Sequence, residues 1–206
     1  MRSGVVLAGG RSTRFGDSDK AVAELAGTPM IRRVADRLVG VVDELVVNCR
    51  PDQTDAIREA MAGYPLDIIY AEDDVPDQGP VAGIRNGLAA ATGSYAFVVA
   101  CDMPFVDPDL ASFLFGRAES ESADAVVPRL ESGWFQTTQA VYRVEAMMRA
   151  CERALESENP RILAPLDELD VLVVEEDELT DVTSLESFEN INTRAEFEAA
   201  ARRIHR

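Results

Sequence analysis

The amino-acid sequence predicts an α/β fold with a largely parallel sheet. Three observations carry that prediction. Short apolar runs, each the length of a buried strand, recur along the chain. Segments of about ten residues with helical spacing lie between them, the pattern of repeated strand–helix units. No repeat or low-complexity linker interrupts the 206 residues, of which 47% are apolar. That length supports one sizeable core, so residues 1–206 are expected to form a single domain.

The elements follow in order. Ser3–Ala8 is a buried strand ended by Gly9 and Gly10. Thr28-Pro29 has the form of an N-cap followed by proline at the first helical position, opening a helix to about Val39. Ile31, Val34, Ala35 and Leu38 fall on one face of it. A strand at Leu45–Asn48, a polar helix at Asp52–Met61 and a strand at Asp67–Tyr70 come next. Val81–Ala91 reads as a helix with Gly93 near its C-cap, and Tyr95–Ala100 as a strand. Asp107 caps a helix over Pro108–Ala118. Ala125–Pro128, Phe135–Tyr142 and Val171–Val174 are further strands, the second a candidate for antiparallel pairing. Val144–Ser157 and Ala195–Ile204 are further helices. Open α/β sheets bind ligands at the carboxyl ends of their strands, which directs attention to the residues after Ala8, Asn48, Tyr70 and Ala100.

Composition narrows the chemistry. The single histidine is His205, and the three cysteines, Cys49, Cys101 and Cys151, have no CxxC spacing. A Ser-His or Cys-His nucleophile, a histidine-rich metal site and a disulfide framework are disfavoured. The net charge of −17 argues against nucleic acid as the main partner. No run is long and apolar enough for a membrane span, and none has the form of a signal peptide, so a cytoplasmic protein is expected. Arginine supplies nineteen of the twenty basic residues and lysine only Lys20. An acidic, lysine-poor chain suits a salt-rich cytosol, where ions screen surface repulsion. The lysine that remains is then expected to do what arginine cannot.

The loop after the first strand runs Leu7-Ala8-Gly9-Gly10-Arg11-Ser12-Thr13-Arg14-Phe15-Gly16, and Lys20 follows four residues on. It is neither a P-loop nor the GxGxxG fingerprint. It nevertheless has the parts of a phosphate site: Gly9 and Gly10 allow close backbone approach, and Arg11, Arg14 and Lys20 add positive charge. A solvated glycine-rich turn is the competing reading. Asp102, in Cys101-Asp102-Met103-Pro104, lies just past a strand end, where one carboxylate with substrate phosphates can hold Mg²⁺. The competing reading, a helix cap, is better filled by Asp107. Near the chain's end, Thr193 and Glu196 form a capping box. That accounts for neither Asn190 nor Asn192, which as alternate residues of an extended stretch would point the same way.

Together the first loop, Lys20, the Cys-Asp-Met-Pro segment and Asn190-Ile191-Asn192-Thr193 resemble the molybdenum-cofactor guanylyltransferases. The stretch Asp73 to Ile84 is similar to that family's D-x-x-P-x-x-G-P-[LV]-A-G-[IM]. The resemblance implies a Rossmann-like nucleotidyltransferase fold of three layers, with helices on both sheet faces. It implies nucleotide contacts at Leu7, Ala8, Gly9, Gly10, Lys20, Asn48 and Asp73, and nucleotide and metal contact at Asp102. Lys20, Arg14 and Asp102 would be the catalytic groups, and Asn190 and Asn192 would face the acceptor. The implied reaction is Mg²⁺-dependent transfer of GMP from GTP to molybdopterin, with transient contact to proteins that supply or accept the cofactor. Cytidylyl transfer to molybdopterin, guanylyl transfer to cobinamide phosphate, a sugar-phosphate acceptor and a non-catalytic nucleotide-binding adaptor are the alternatives. One departure stands out. Where the family often has a Pro-Leu-His-type segment, this chain has Gln136-Thr137-Thr138-Gln139.

Overall fold

The computed structural model describes residues 1–10, 19–75, 78–157 and 160–204. The apolar runs pair into one seven-stranded sheet. In chain order its strands are β1 (Arg2–Leu7), β4 (Glu44–Cys49), β5 (Ile68–Glu72), β6 (Tyr95–Ala100), β7 (Ala125–Arg129), β8 (Gln139–Arg143) and β9 (Val171–Glu175). A two-stranded ribbon, β2 (Glu24–Leu25) and β3 (Thr28–Pro29), stands apart. Across the large sheet the order is β5-β4-β1-β6-β8-β7-β9, and only β8 runs against its neighbours.

Successive side chains of a strand point to opposite faces, and here each face meets its own core. Val6, Val47, Phe97 and Val99 pack on one side with Ile31, Leu38, Leu110 and Phe115. The last four come from α1 (Met30–Leu38) and α4 (Pro108–Glu121). Val5, Val46, Ala96 and Val98 pack on the other with Ile84, Leu88 and Met147, from α3 (Pro80–Ala90) and α5 (Val144–Ala154). The expected three layers are thus present. The remaining helices are α2 (Thr54–Ala60), α6 (Glu176–Thr180) and α7 (Arg194–Ile204). Among the described residues, no helix is long and apolar enough to cross a membrane.

Several local expectations hold and three need correction. Asp107 caps α4, accepting from the Asp109 amide at 2.9 Å, and the helix runs on to Glu121, where Ser122 adopts a left-handed conformation. Thr193 and Glu196 exchange the capping-box hydrogen bonds. Thr28, however, is not an N-cap. It pairs with Leu25 across a tight turn at Ala26 and Gly27, both with positive φ, and α1 starts at Met30 with no side-chain cap. Gly93 does not close α3 either: Ala91 caps it in an extended conformation. Gly93 instead donates its amide to Ser3 Oγ at 2.9 Å, and a Cβ there would lie 2.5 Å from that oxygen. Phe135 makes only an isolated bridge to Arg129, so the antiparallel strand expected over Phe135–Tyr142 is confined to Gln139–Arg143.

Candidate active site

Strand register builds the site. Ala71, Asn48, Leu7 and Ala100 stand in one row across β5, β4, β1 and β6. The amide of Ala100 continues the row by donating to the Thr138 carbonyl at 3.1 Å. Strands lie about 4.8 Å apart, so the row extends roughly 19 Å. The segments leaving these strand ends line a cleft of about 490 Å³.

At the β6 end, Lys20 is 5% exposed and its Nζ donates to Asp102 Oδ2 at 2.9 Å and to Asn192 Oδ1 at 3.2 Å. The turn Lys20–Val22 aims the ammonium inward, because Asp19 Oδ1 accepts the Ala21 amide at 3.0 Å. The tail is tied to the same point: the Ile191 amide donates to the Asp102 carbonyl at 2.9 Å. Asp102 Oδ1 is shielded from water and has no hydrogen-bond partner among the described residues. Beside it, burial and then the Asp102 charge push the Cys101 thiol well above its ordinary range, so this cysteine stays neutral.

At the other end of the row, Asn48 Nδ2 donates to Asp73 Oδ1 at 2.8 Å and to the Ala71 carbonyl at 3.1 Å. Asn86 of α3 donates to the same Asp73 oxygen at 3.1 Å. Asp73 Oδ2 faces the Gly9 backbone: a Cβ on Gly9 would lie 2.7 Å from it. Helix α3 can come this close because its cleft side is small. A Cβ on Gly83 would lie 2.7 Å from Asn48 Oδ1, and one on Gly87 2.4 Å from Val5 Cγ1. Gly79 precedes the helix at φ 82, ψ −176, a region essentially reserved for glycine, and Pro80 starts it. The N-terminal end of α3, with its partial positive charge, therefore borders the cleft.

Of the residues expected from the sequence, Leu7, Ala8, Gly9, Gly10, Lys20, Asn48, Asp73, Asp102 and Asn192 line this one cleft. Arg14, with the rest of the segment 11–18, lies outside the described residues. Asn190 is not among the residues that line the cleft. Asn190 and Asn192 are both exposed on either side of buried Ile191, the alternation expected of an extended stretch, although that stretch joins no strand. The Asn192 amide donates to Glu196 Oε2 at 2.6 Å and so joins the capping box.

The sequence reading missed Asn86, Arg50, Gln53 and Thr138. Arg50 donates to the carbonyls of Gly9 and Gly10 at 3.1 and 2.9 Å. Within the Gln136–Gln139 departure only Thr138 lines the cleft. The Thr137 carbonyl accepts from Tyr142 Oη at 2.8 Å, and buried Gln139 donates to Ser187 Oγ at 2.8 Å.

Comparison with known proteins agrees with this geometry. The family described as MobA-like NTP transferase domain matches residues 4–171. A probable molybdenum cofactor guanylyltransferase of Natronomonas pharaonis is 50% identical over 203 residues, 98% of each chain. One from Haloferax mediterranei is 38% identical over 98% of this chain and 94% of its own. Among solved structures, molybdopterin-guanine dinucleotide biosynthesis protein A from Archaeoglobus fulgidus superposes with a TM-score of 0.81 at 27% identity, over 98% of both chains. By its sequence, its sheet and its cleft, this chain is a nucleotidyltransferase and belongs to the MobA-like NTP transferase family.

Proposed function

We propose that the protein transfers GMP from GTP to the terminal phosphate of molybdopterin, or of its metal-bearing form, and releases pyrophosphate. The observation that carries this reading is the meeting of Lys20, Asp102 and Asn192 at the β6 end of the cleft. The names of the two relatives support guanylyl transfer to a molybdenum cofactor, and that of the Archaeoglobus fulgidus protein supports molybdopterin.

The residues divide the work. An ammonium has three donors, and Lys20 uses two on Asp102 and Asn192, leaving one for a phosphate oxygen. The amides at Gly9 and Gly10 and the N-terminal end of α3 add positive potential where the triphosphate lies. Asp73 spends one oxygen on two asparagine amides and keeps Oδ2 to accept from the nucleoside. Asn192 and Thr138 line the β6–β8 end of the cleft and would face the acceptor. Arg14 is proposed as a further cation on the phosphates.

Asp102 also fits a divalent cation, taken here as Mg²⁺. One of its oxygens is held by Lys20, while the other has no partner among the described residues. A single carboxylate completed by substrate phosphates and water is an ordinary Mg²⁺ site. When bound, the cation supplies charge neutralisation on the phosphates. An oxygen of the acceptor's terminal phosphate attacks the α-phosphorus in line, the bond from that phosphorus to the bridging oxygen breaks, and pyrophosphate leaves. The attacking phosphate is already ionised at neutral pH, so no protein base is required. Rate enhancement then rests on positioning and on stabilising charge. The reaction would run in the cytoplasm, with transient contacts to proteins that deliver and receive the cofactor.

The test is pyrophosphate release from GTP, CTP, ATP and UTP, each with Mg²⁺ and molybdopterin. GTP should be preferred, and release should require the acceptor. Preference for CTP would reassign the base. GTP binding without release would leave a nucleotide-binding adaptor.

A further inference from the structure

The turn after β4, Arg50-Pro51-Asp52-Gln53, reaches both flanks of the loop that follows β1. On one flank the Arg50 guanidinium donates to the Gly9 and Gly10 carbonyls at 3.1 and 2.9 Å. With the carbonyls turned to Arg50, the amides of this glycine pair are free to serve the cleft. On the other flank Gln53 Nε2 donates to Asp19 Oδ2, and Asp19 Oδ1 takes the Ala21 amide at 3.0 Å. That bond caps the turn from which Lys20 reaches Asp102. Gln53 is 2% exposed, and its Oε1 accepts the Arg50 amide at 3.1 Å. One buried amide therefore ties the Arg50 contact to the Lys20 contact.

The geometry points to Gln53 as a positioning residue for nucleotidyl transfer: it clamps the Asp19–Lys20 flank to the Arg50 flank before nucleotide arrives. Gln53 does not line the cleft and acts only through Asp19 and Arg50. Ala8 and Ala21 anchor the two flanks in the core, so without the clamp it is the Gly9–Gly10 and Asp19 ends whose order must come from the bound triphosphate. Binding energy spent that way raises KM for the nucleotide and leaves the saturated rate nearly intact. This inference rests on the proposed reaction, and its test separates the two.

The test uses the reciprocal character of the bond. Gln53→Glu sets a carboxylate against the Asp19 carboxylate and removes the donor. Adding Asp19→Asn restores it in reverse, with the new amide donating to the new carboxylate and its oxygen still available to the Ala21 amide. Gln53→Glu should raise KM for GTP about tenfold, the equivalent of about 1.4 kcal/mol, with kcat within about twofold. Exchange of the Ala21 amide with deuterated solvent should quicken by a similar factor. The double variant should bring both back to within about threefold of the unaltered protein. Asp19→Asn alone, at a partly buried position, should show a smaller rise in KM and serves if Gln53→Glu does not fold. A purely structural role for Gln53 would lower the melting temperature and leave KM alone. That result, or a double variant no better than Gln53→Glu, overturns the clamp. If the unaltered protein releases no pyrophosphate from GTP, the proposed reaction falls, while Ala21 exchange still decides whether Gln53 holds the flank.

Discussion

Replacing Gly83 by alanine puts two effects of known size against each other. Gly83 lies inside α3, so the methyl meets no backbone strain, and exchanging glycine for alanine in a helix interior returns about 1 kcal/mol. The added Cβ would lie 2.7 Å from Asn48 Oδ1, whereas ordinary contact begins at 3.4 Å. The amide of Asn48 must then move by about 0.7 Å, enough to stretch its 2.8 Å bond to Asp73 toward the hydrogen-bond limit. A hydrogen bond to a charged group contributes about 1.5–3 kcal/mol, so loss outweighs gain and the fold is weakened by about 0.5–2 kcal/mol. The nucleotide effect is larger in consequence. With both Asn48 and Asp73 displaced, KM for GTP should rise about tenfold, for about 1.4 kcal/mol of lost binding. Steady-state kinetics and thermal melting on the same preparation read both numbers. Gly87→Ala is the control. Its Cβ meets Val5 Cγ1 at 2.4 Å in the apolar core, so it should lose about 1–3 kcal/mol of stability without a selective change in KM. A Gly83→Ala protein that melts higher and keeps its KM would refute the reasoning, because helix propensity would then be the only term that matters.

Two further predictions concern charge. Lys20→Ala and Asp102→Ala should each slow turnover on the order of a hundredfold, the usual cost of one preorganised contact, with the fold intact by circular dichroism. Lys20→Arg should fail to restore the rate, since a planar guanidinium cannot repeat the two bonds of a buried ammonium. Glu44 predicts a pH effect. Burial alone would raise its carboxyl, but bonds from Ser3 Oγ and from the Thr92 amide, both 2.6 Å, and from Thr92 Oγ1 at 2.8 Å outweigh that and hold it below 4.5. A depressed carboxyl stabilises the fold above its unfolded value, and that contribution fades as pH falls through the folded one. The stability gap between the natural protein and Glu44→Gln should therefore be widest at neutral pH and narrow below 4.5. An equal gap at both ends of a pH series of urea melts would contradict this.

How much of this was legible in the sequence depended on the kind of signal each residue gives. Buried strands declare themselves through runs such as Tyr95–Ala100, and strand ends then point to Asp102 and Asn48. Lys20 was conspicuous because the composition holds no other lysine. Contacts that depend on register or on a neighbouring layer were not visible. Asn86 reads as a polar residue on a helix, and only the nearness of α3 to β4 brings it onto Asp73. Gln53 fell inside the expected polar helix Asp52–Met61 and Arg50 just before it, yet their partners lie more than thirty residues earlier. An arginine just past a buried strand was the one hint available. The turn at Ala26-Gly27 was hidden because alanine seldom adopts positive φ, so Thr28-Pro29 passed for a helix start. The alternation of Asn190 and Asn192 about buried Ile191 was legible, but only the fold shows that Asn192 reaches Lys20.

Lys20 and Asp102 must act on one triphosphate if the proposed transfer is right. The most direct measurement is a crystal structure with GTP and Mn²⁺ in place of Mg²⁺, read from the manganese anomalous signal. The account predicts manganese on an Asp102 oxygen and Lys20 Nζ within hydrogen-bonding distance of the same nucleotide's phosphates. Manganese bound elsewhere, or a triphosphate out of reach of Lys20, would contradict it.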